Sequence, residues 1–210
     1  MKRIFFSLLL ISSFLIITAQ EDKMLQQVNF NVGKTFSSFN YQDANGNKDE
    51  NLSYASGNTY ALSVGLGFGK KHLLRPEIIY SELGANSKFL STPITWRLNY
   101  LGFSTAYLFK ILQKETISIS PGLILGYDYL LSGEQNMGSI NYNLKESDII
   151  KTWDINAGLL VNSRFKVTES MSLSFEYRFN MGLNQIEQRD EGEKTKNIAH
   201  RALIGLSFKL

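Results

Sequence analysis

No cysteine occurs in the 210 residues of this chain. That removes three chemistries at once: a disulfide framework, a thiolate metal site and a thiol nucleophile. Histidine is nearly as scarce, with only His72 and His200. Two distant imidazoles and scattered carboxylates form no ligand cluster, so no metal and no other cofactor is expected. Charge of one sign is also missing. Lysine and arginine number 22 against 19 acidic residues, and no basic stripe is present to hold a nucleic acid. Past residue 19 no apolar run approaches the roughly 20 residues that a membrane-spanning helix needs. Proline is limited to three residues against 16 glycines, with 12% aromatics, a balance that suits β-structure better than disorder.

The chain opens Met1-Lys2-Arg3, continues with an apolar run from Ile4 to Ile17, and passes into Thr18-Ala19-Gln20. A charged start, a short apolar core and a small residue before a polar segment read as a secretory signal peptide over 1–19, cleaved after Ala19. A retained anchor is the alternative. Removal takes Lys2 and Arg3 with it and leaves basic and acidic counts close to parity. The remainder, 20–210, reads as one domain.

That domain is a series of period-2 segments. The second, Thr59 to Gly69, sets Tyr60, Leu62, Val64, Leu66 and Phe68 against Ala61, Ser63, Gly65, Gly67 and Gly69. The first, Gln26 to Phe39, the third, Leu73 to Leu83, and the fifth, Thr116 to Leu130, alternate likewise. So do the sixth, Lys151 to Lys166, and the seventh, Met171 to Asn184. The fourth, about Thr95 to Lys110, is apolar on both faces, and its register is not readable. The eighth ends the chain with Ala202, Ile204, Leu206, Phe208 and Leu210 on one side. Pro76 in the third segment removes a ladder hydrogen bond, which calls for a bulge or a position at a membrane rim. The connections alternate between short turns, at Lys70–Lys71, Gln113–Glu115 and Val167–Ser170, and longer loops, at Asp43–Asn58, Gly84–Pro93, Ser132–Ile150 and Glu187–Lys196.

Eight strand-length segments, all but the fourth alternating, joined in this rhythm predict an all-β fold: an eight-stranded antiparallel up-and-down transmembrane β-barrel. A soluble barrel would place the apolar face inside. Here the polar face carries Glu77, Asp128, Asp154, Arg164, Glu176, Arg178 and Arg201, while the apolar face carries aromatics near strand ends (Tyr60, Phe68, Tyr80, Tyr129, Trp153, Phe208). Those features suit a polar lumen and a lipid-facing girdle. An apolar final strand suits a sheet that must close on itself in lipid.

Two resemblances follow. Gly205, Phe208 and Leu210 resemble the C-terminal signal by which outer-membrane barrels are recognised for insertion, with Leu210 in place of the usual phenylalanine. This implies outer-membrane lipid and the barrel-assembly machinery as partners. The pieces Arg75-Pro76-Glu77-Ile78-Ile79-Tyr80-Ser81, Leu98-Asn99-Tyr100-Leu101, Trp153-Asp154-Ile155-Asn156-Ala157-Gly158 and Tyr177-Arg178-Phe179-Asn180-Met181-Gly182-Leu183 resemble the PorT-like outer-membrane β-barrel family of Bacteroidota. That resemblance implies an outer-membrane location. Some members assist type IX secretion and gliding, so the resemblance points to an envelope protein partner.

The inward charges come in both signs and read first as a salt-bridged network filling a narrow barrel. A gated path for ions or small solutes is the second reading. A lipid-modifying enzyme using His200, near the acidic loop Glu187 to Glu193, is the third. It lacks the serine two residues on that lipid A deacylases place beside their histidine, since that position is Ala202. The expectation is a non-enzymatic structural or interaction component of the envelope. The same acidic loop lacks the regular oxygen spacing of a calcium site. Recognition would lie in the long loops.

Overall fold

Alternation of small or polar residues with Val, Leu, Ile, Phe and Tyr favours extended chain with two chemically distinct faces. The computed structural model describes residues 25–147, 149–188 and 192–210; the expected signal peptide lies outside them. Ten strands form: β1 (Leu25–Gln42), β2 (Ser53–Phe68), β3 (His72–Phe89), β4 (Thr92–Phe109), β5 (Leu112–Gln113), β6 (Ile117–Met137), β7 (Ile140–Asn143), β8 (Trp153–Lys166), β9 (Met171–Gly182) and β10 (Lys194–Lys209). Eight are long and run antiparallel in the order β1-β2-β3-β4-β6-β8-β9-β10. β10 pairs back onto β1 from Gln27↔Lys209 to Gln42↔Lys194. The ring is closed and has no free edge. β5 and β7 are short additions alongside β6.

The two faces have separate solvents. Phe30, Leu62, Ile78, Phe103, Leu123, Leu125, Leu159, Phe175 and Ile204 point outward and are exposed. A belt of this kind would be a very large apolar patch in water, whereas lipid solvates it. The fold is therefore a transmembrane barrel, apolar outside and largely polar within. One row of the ladder crosses five adjacent strands as Tyr60↔Tyr80, Tyr80↔Leu101, Leu101↔Tyr129 and Tyr129↔Trp153. It supplies the aromatic boundary on the loop side.

Strands β3 and β4 correct the expected loop at 84–93. Both continue past that aromatic row and meet in a two-residue turn, Leu90-Ser91, with φ of 46° and 72°. Two consecutive positive φ values give the twist-matched hairpin turn. Asn-Gly is its usual sequence, so Leu-Ser gave no signal. β6 likewise extends to Met137 and turns into β7, within what reads as loop. Pro76 sits in the wall without a register shift. The β2–β3 ladder runs to Ser63↔Glu77 and resumes at Leu66↔Leu74. The missing rungs absorb the missing N–H, with no bulge.

Close strand contact fixes one glycine at the closing seam. A Cβ added at Gly33 would lie 2.0 Å from the carbonyl oxygen of Ala202 and 2.8 Å from the Leu203 Cα, both backbone atoms that cannot swing away. Gly33→Ala is expected to destabilise the barrel by about 1–3 kcal/mol through overpacking. A lowered urea midpoint in lipid vesicles checks this, and an unchanged midpoint would show that the β1–β10 seam yields freely.

Candidate functional site

The lumen of an eight-stranded barrel is just wide enough for side chains to fill. Inward positions of β3 present Leu73, Arg75, Glu77, Ile79 and Ser81 in ascending order from the turn end, and those of β9 present Ser174, Glu176, Arg178 and Asn180. These strands lie four apart in a ring of eight, on opposite walls. Arg75 reaches across to Glu176 with a bidentate pair, Nη1 to Oε2 at 2.6 Å and Nη2 to Oε1 at 2.9 Å. Arg178 returns the arrangement, donating to both Glu77 oxygens (Nη2 to Oε2 at 2.8 Å) and through Nε to Glu176. Ser104 donates to Glu77 at 2.6 Å and Asn162 to Glu176 at 2.9 Å. Two cations and two anions thus form a neutral quartet. All four side chains are at most 1% exposed.

Next toward the loop end, Arg201 is linked to Asp128 by amides. Arg201 Nη1 donates to Asn180 Oδ1 at 2.8 Å, Asn180 to Asn156 at 3.0 Å, and Asn156 to Asp128 at 2.9 Å. Gly102 makes room for that carboxylate, since a Cβ there would lie 1.9 Å from Asp128 Oδ1. Asp154 accepts from Asn197 at 2.8 Å, and the same amide lies 3.4 Å from the Tyr100 hydroxyl.

Apolar layers bracket these charges. On the turn side Leu73, Ala106, Leu108, Ile124 and Leu160 pack together. On the loop side Leu83, Leu98, Tyr100, Leu130 and Ala199 from the wall meet Leu144, Ile150 and Ile186 from the connections. These last three fold inward and stopper the barrel. Above them lies a cavity of about 560 Å³, lined by Phe39, Leu52, Trp96 and Ile149 with Asp43, Lys48 and Asp49. Asn47 donates to Asp43 from its backbone at 2.7 Å and its side chain at 3.1 Å, holding the Asp43 carboxyl below its ordinary value.

Of the residues singled out from the sequence, Glu77, Glu176 and Arg178 come together. Asp128 and Arg201 share the amide relay, and Asp154 lies beside it. Arg164 stands apart at the turn end of the lumen. Arg75 was missing from that set, although it sits two residues before Glu77 on the same face. Nothing in the alternation says that a second arginine is required until charge is counted across the lumen. Leu144 and Ile150 carry no sign of burial either, because isolated apolar residues in polar loops read as exposed contact residues, whereas both are buried here. Outside the barrel, His200 lies 5.0 Å ring to ring from Phe179. Its Nδ1 is 2.7 Å from the Tyr177 hydroxyl and its Nε2 is 3.3 Å from that of Tyr54. Gly205 leaves space for Asn31, whose Oδ1 would be 2.0 Å from an added Cβ, and Phe208 and Leu210 face outward.

No protein-family profile matches the chain, and no curated protein matches it in sequence. Solved barrels do share its fold. Neisserial surface protein A (NspA) is 15% identical, with a TM-score of 0.50 over 87% of this chain and 97% of that one. The outer membrane protein OprG of Pseudomonas aeruginosa is 11% identical, with a TM-score of 0.50 over 89% and 97%. The outer membrane protease OmpT of Escherichia coli is 9% identical, with a TM-score of 0.50 over 89% and 97%. A surface protein and a protease on one scaffold illustrate that this fold does not fix a chemistry.

Arg178→Met leaves Glu77 and Glu176 short of their shared cation, and an uncompensated buried charge costs roughly 3–5 kcal/mol. Unfolding in vesicles is expected to show a loss of that size. Replacing all four quartet residues with apolar ones of similar volume should recover most of it. A single-variant loss below about 1 kcal/mol would mean that water enters the lumen and screens the quartet.

Proposed function

We propose that this chain is an outer-membrane barrel that works without catalysis, as an interaction component of the envelope whose contacts lie at its loop end. The single observation behind this reading is the filled lumen. A neutral ion-pair quartet spans opposite walls and an apolar stopper closes the loop side, so the barrel offers surfaces more readily than a path. The fold, shared with outer-membrane proteins, supports the location. On the same reading the barrel-assembly machinery engages Gly205, Phe208 and Leu210 on the final strand. The PorT-like resemblance supports the finer assignment, an accessory of a type IX secretion or gliding-type complex.

A conducting reading requires the quartet to part and the stopper to lift. A catalytic reading through His200 has to free a ring whose two nitrogens face tyrosine hydroxyls on the outer surface. The filled lumen and the outward histidine both favour the interaction role.

Gentle detergent extraction of tagged protein from its native membrane, followed by mass spectrometry, tests the proposal. A stoichiometric envelope partner is expected, and it should be lost when residues 43–52 are replaced by a short Gly-Ser turn. In planar bilayers the purified barrel is expected to stay silent. A clean monomer combined with steady conductance that changes on Glu176→Gln would overturn the interaction role in favour of a channel.

A further inference from the structure

The turn-end mouth opens into a cavity of about 980 Å³. Lys70 and Lys71 from the β2–β3 turn, Lys110 and Lys114 between β4 and β6, and Lys209 at the end of β10 line it, and Arg164 of β8 forms part of its wall. Lys166 and Glu169, also at this mouth, satisfy each other at 2.7 Å. Glu115 is the remaining acidic side chain in the lining. Cationic side chains outnumber acidic ones in this lining by a wide margin. This is a local asymmetry, because the chain as a whole is close to charge balance.

Arg164 differs from the arginines above it. Arg75 and Arg178 each grip a carboxylate. Arg164 donates from Nε to Asn162 Oδ1 at 3.0 Å and from Nη1 to Gln27 Oε1, two neutral amides. Among the described residues it makes no salt bridge. Its ladder partners are Ser118 on one side and Ser174 on the other, so hydroxyls flank it where acids could have stood. The nearest acid, Glu176, is reached only through Asn162 and is already paired with Arg75 and Arg178. A part-buried guanidinium with no carboxylate of its own is costly, and the surrounding lysines add repulsion. Burial first, and then the Arg164 charge, push the Lys110 ammonium below its ordinary value, so the two cations lie within electrostatic reach of each other.

We propose that this vestibule binds a phosphate-class oxyanion, with Arg164 at its inner wall and Lys110 and Lys114 closing over it from the rim. An oxyanion with several acceptor oxygens can take charge-assisted bonds from a guanidinium and two ammoniums together, and the Ser118 hydroxyl lies beside it. A free phosphate ester and the phosphate of a lipid headgroup offer the same chemistry here. The site is independent of the loop-end role, since it lies at the other end of the barrel.

The test uses the full barrel in a maltoside detergent, which carries no phosphate. Inorganic phosphate is titrated by calorimetry at constant ionic strength, with chloride as the control. Saturable binding is expected, weakened about tenfold or more by Arg164→Gln. Paired Lys110→Gln and Lys114→Gln substitutions should weaken it severalfold, and Lys48→Gln at the loop end should leave it unchanged. The lysine pair leaves the Arg164 bonds intact, so the test stands even if Arg164→Gln fails to fold. Native mass spectrometry after extraction from membranes supplies the second arm. A phospholipid retained by the wild type and lost in the same variants, without binding of inorganic phosphate, assigns the site to a lipid headgroup. Phosphate binding without retained lipid assigns it to a solute. Equal affinity in wild type and variants, or no binding in either arm, would overturn the proposal.

Discussion

Two arginines and two glutamates, sealed from water on opposite walls, set what this barrel can be. A sheet that closes on itself removes its edges but must then fill its own middle. Eight strands leave too little room for water to solvate four charges separately. The charges are therefore tolerable only together, as a set with zero net charge and with Ser104 and Asn162 meeting further oxygens. Each member depends on the other three. The remaining interior is arranged around that set: amides carry its polarity toward Asp128 and Asp154, while apolar layers exclude water from either side.

Much of this was readable from the chain. Where one face is lipid and the other a polar lumen, a strand writes its orientation in plain alternation. β9 is the clearest case, with Glu176, Arg178 and Asn180 buried inside and Phe175 and Tyr177 exposed outside. The same contrast explains the failure at β4. Its inward residues Leu98, Tyr100, Ala106 and Leu108 belong to the two apolar layers of the lumen, so both of its faces are apolar and the period vanishes. Alternation reports a difference between solvents, and β4 lies where lipid and lumen resemble each other. Tertiary contacts were less legible still. No local signal says that Arg75 answers Glu176 a hundred residues away, or that Leu144 and Ile186 turn back into the mouth. The Leu90-Ser91 turn was hidden for the opposite reason. The geometry is local, but its residues are not those that ordinarily adopt it.

The two ends of the barrel differ in kind. At the loop end the chain is long, irregular and folded partly back on itself, with an apolar stopper beneath a mixed-charge rim. At the turn end the connections are short and the mouth is concave and cationic. A closed wall with a blocked centre separates two chemical environments, and each end is free to present its own surface.

The gap in the wall at Pro76 carries a mechanical consequence. A cylinder of hydrogen-bonded strands under lateral pressure is weakened wherever rungs are missing, and the β2–β3 ladder omits those opposite Arg75 and Pro76 as well as those between Tyr54↔Ala85 and Thr59↔Ser81. At that height Arg75 leaves the wall and is fastened to Glu176 on the opposite side. Prying β2 from β3 there would drag on an ion pair spanning the full diameter. The interior bond thus works as a tie-rod across one of the two weak points of that strand pair.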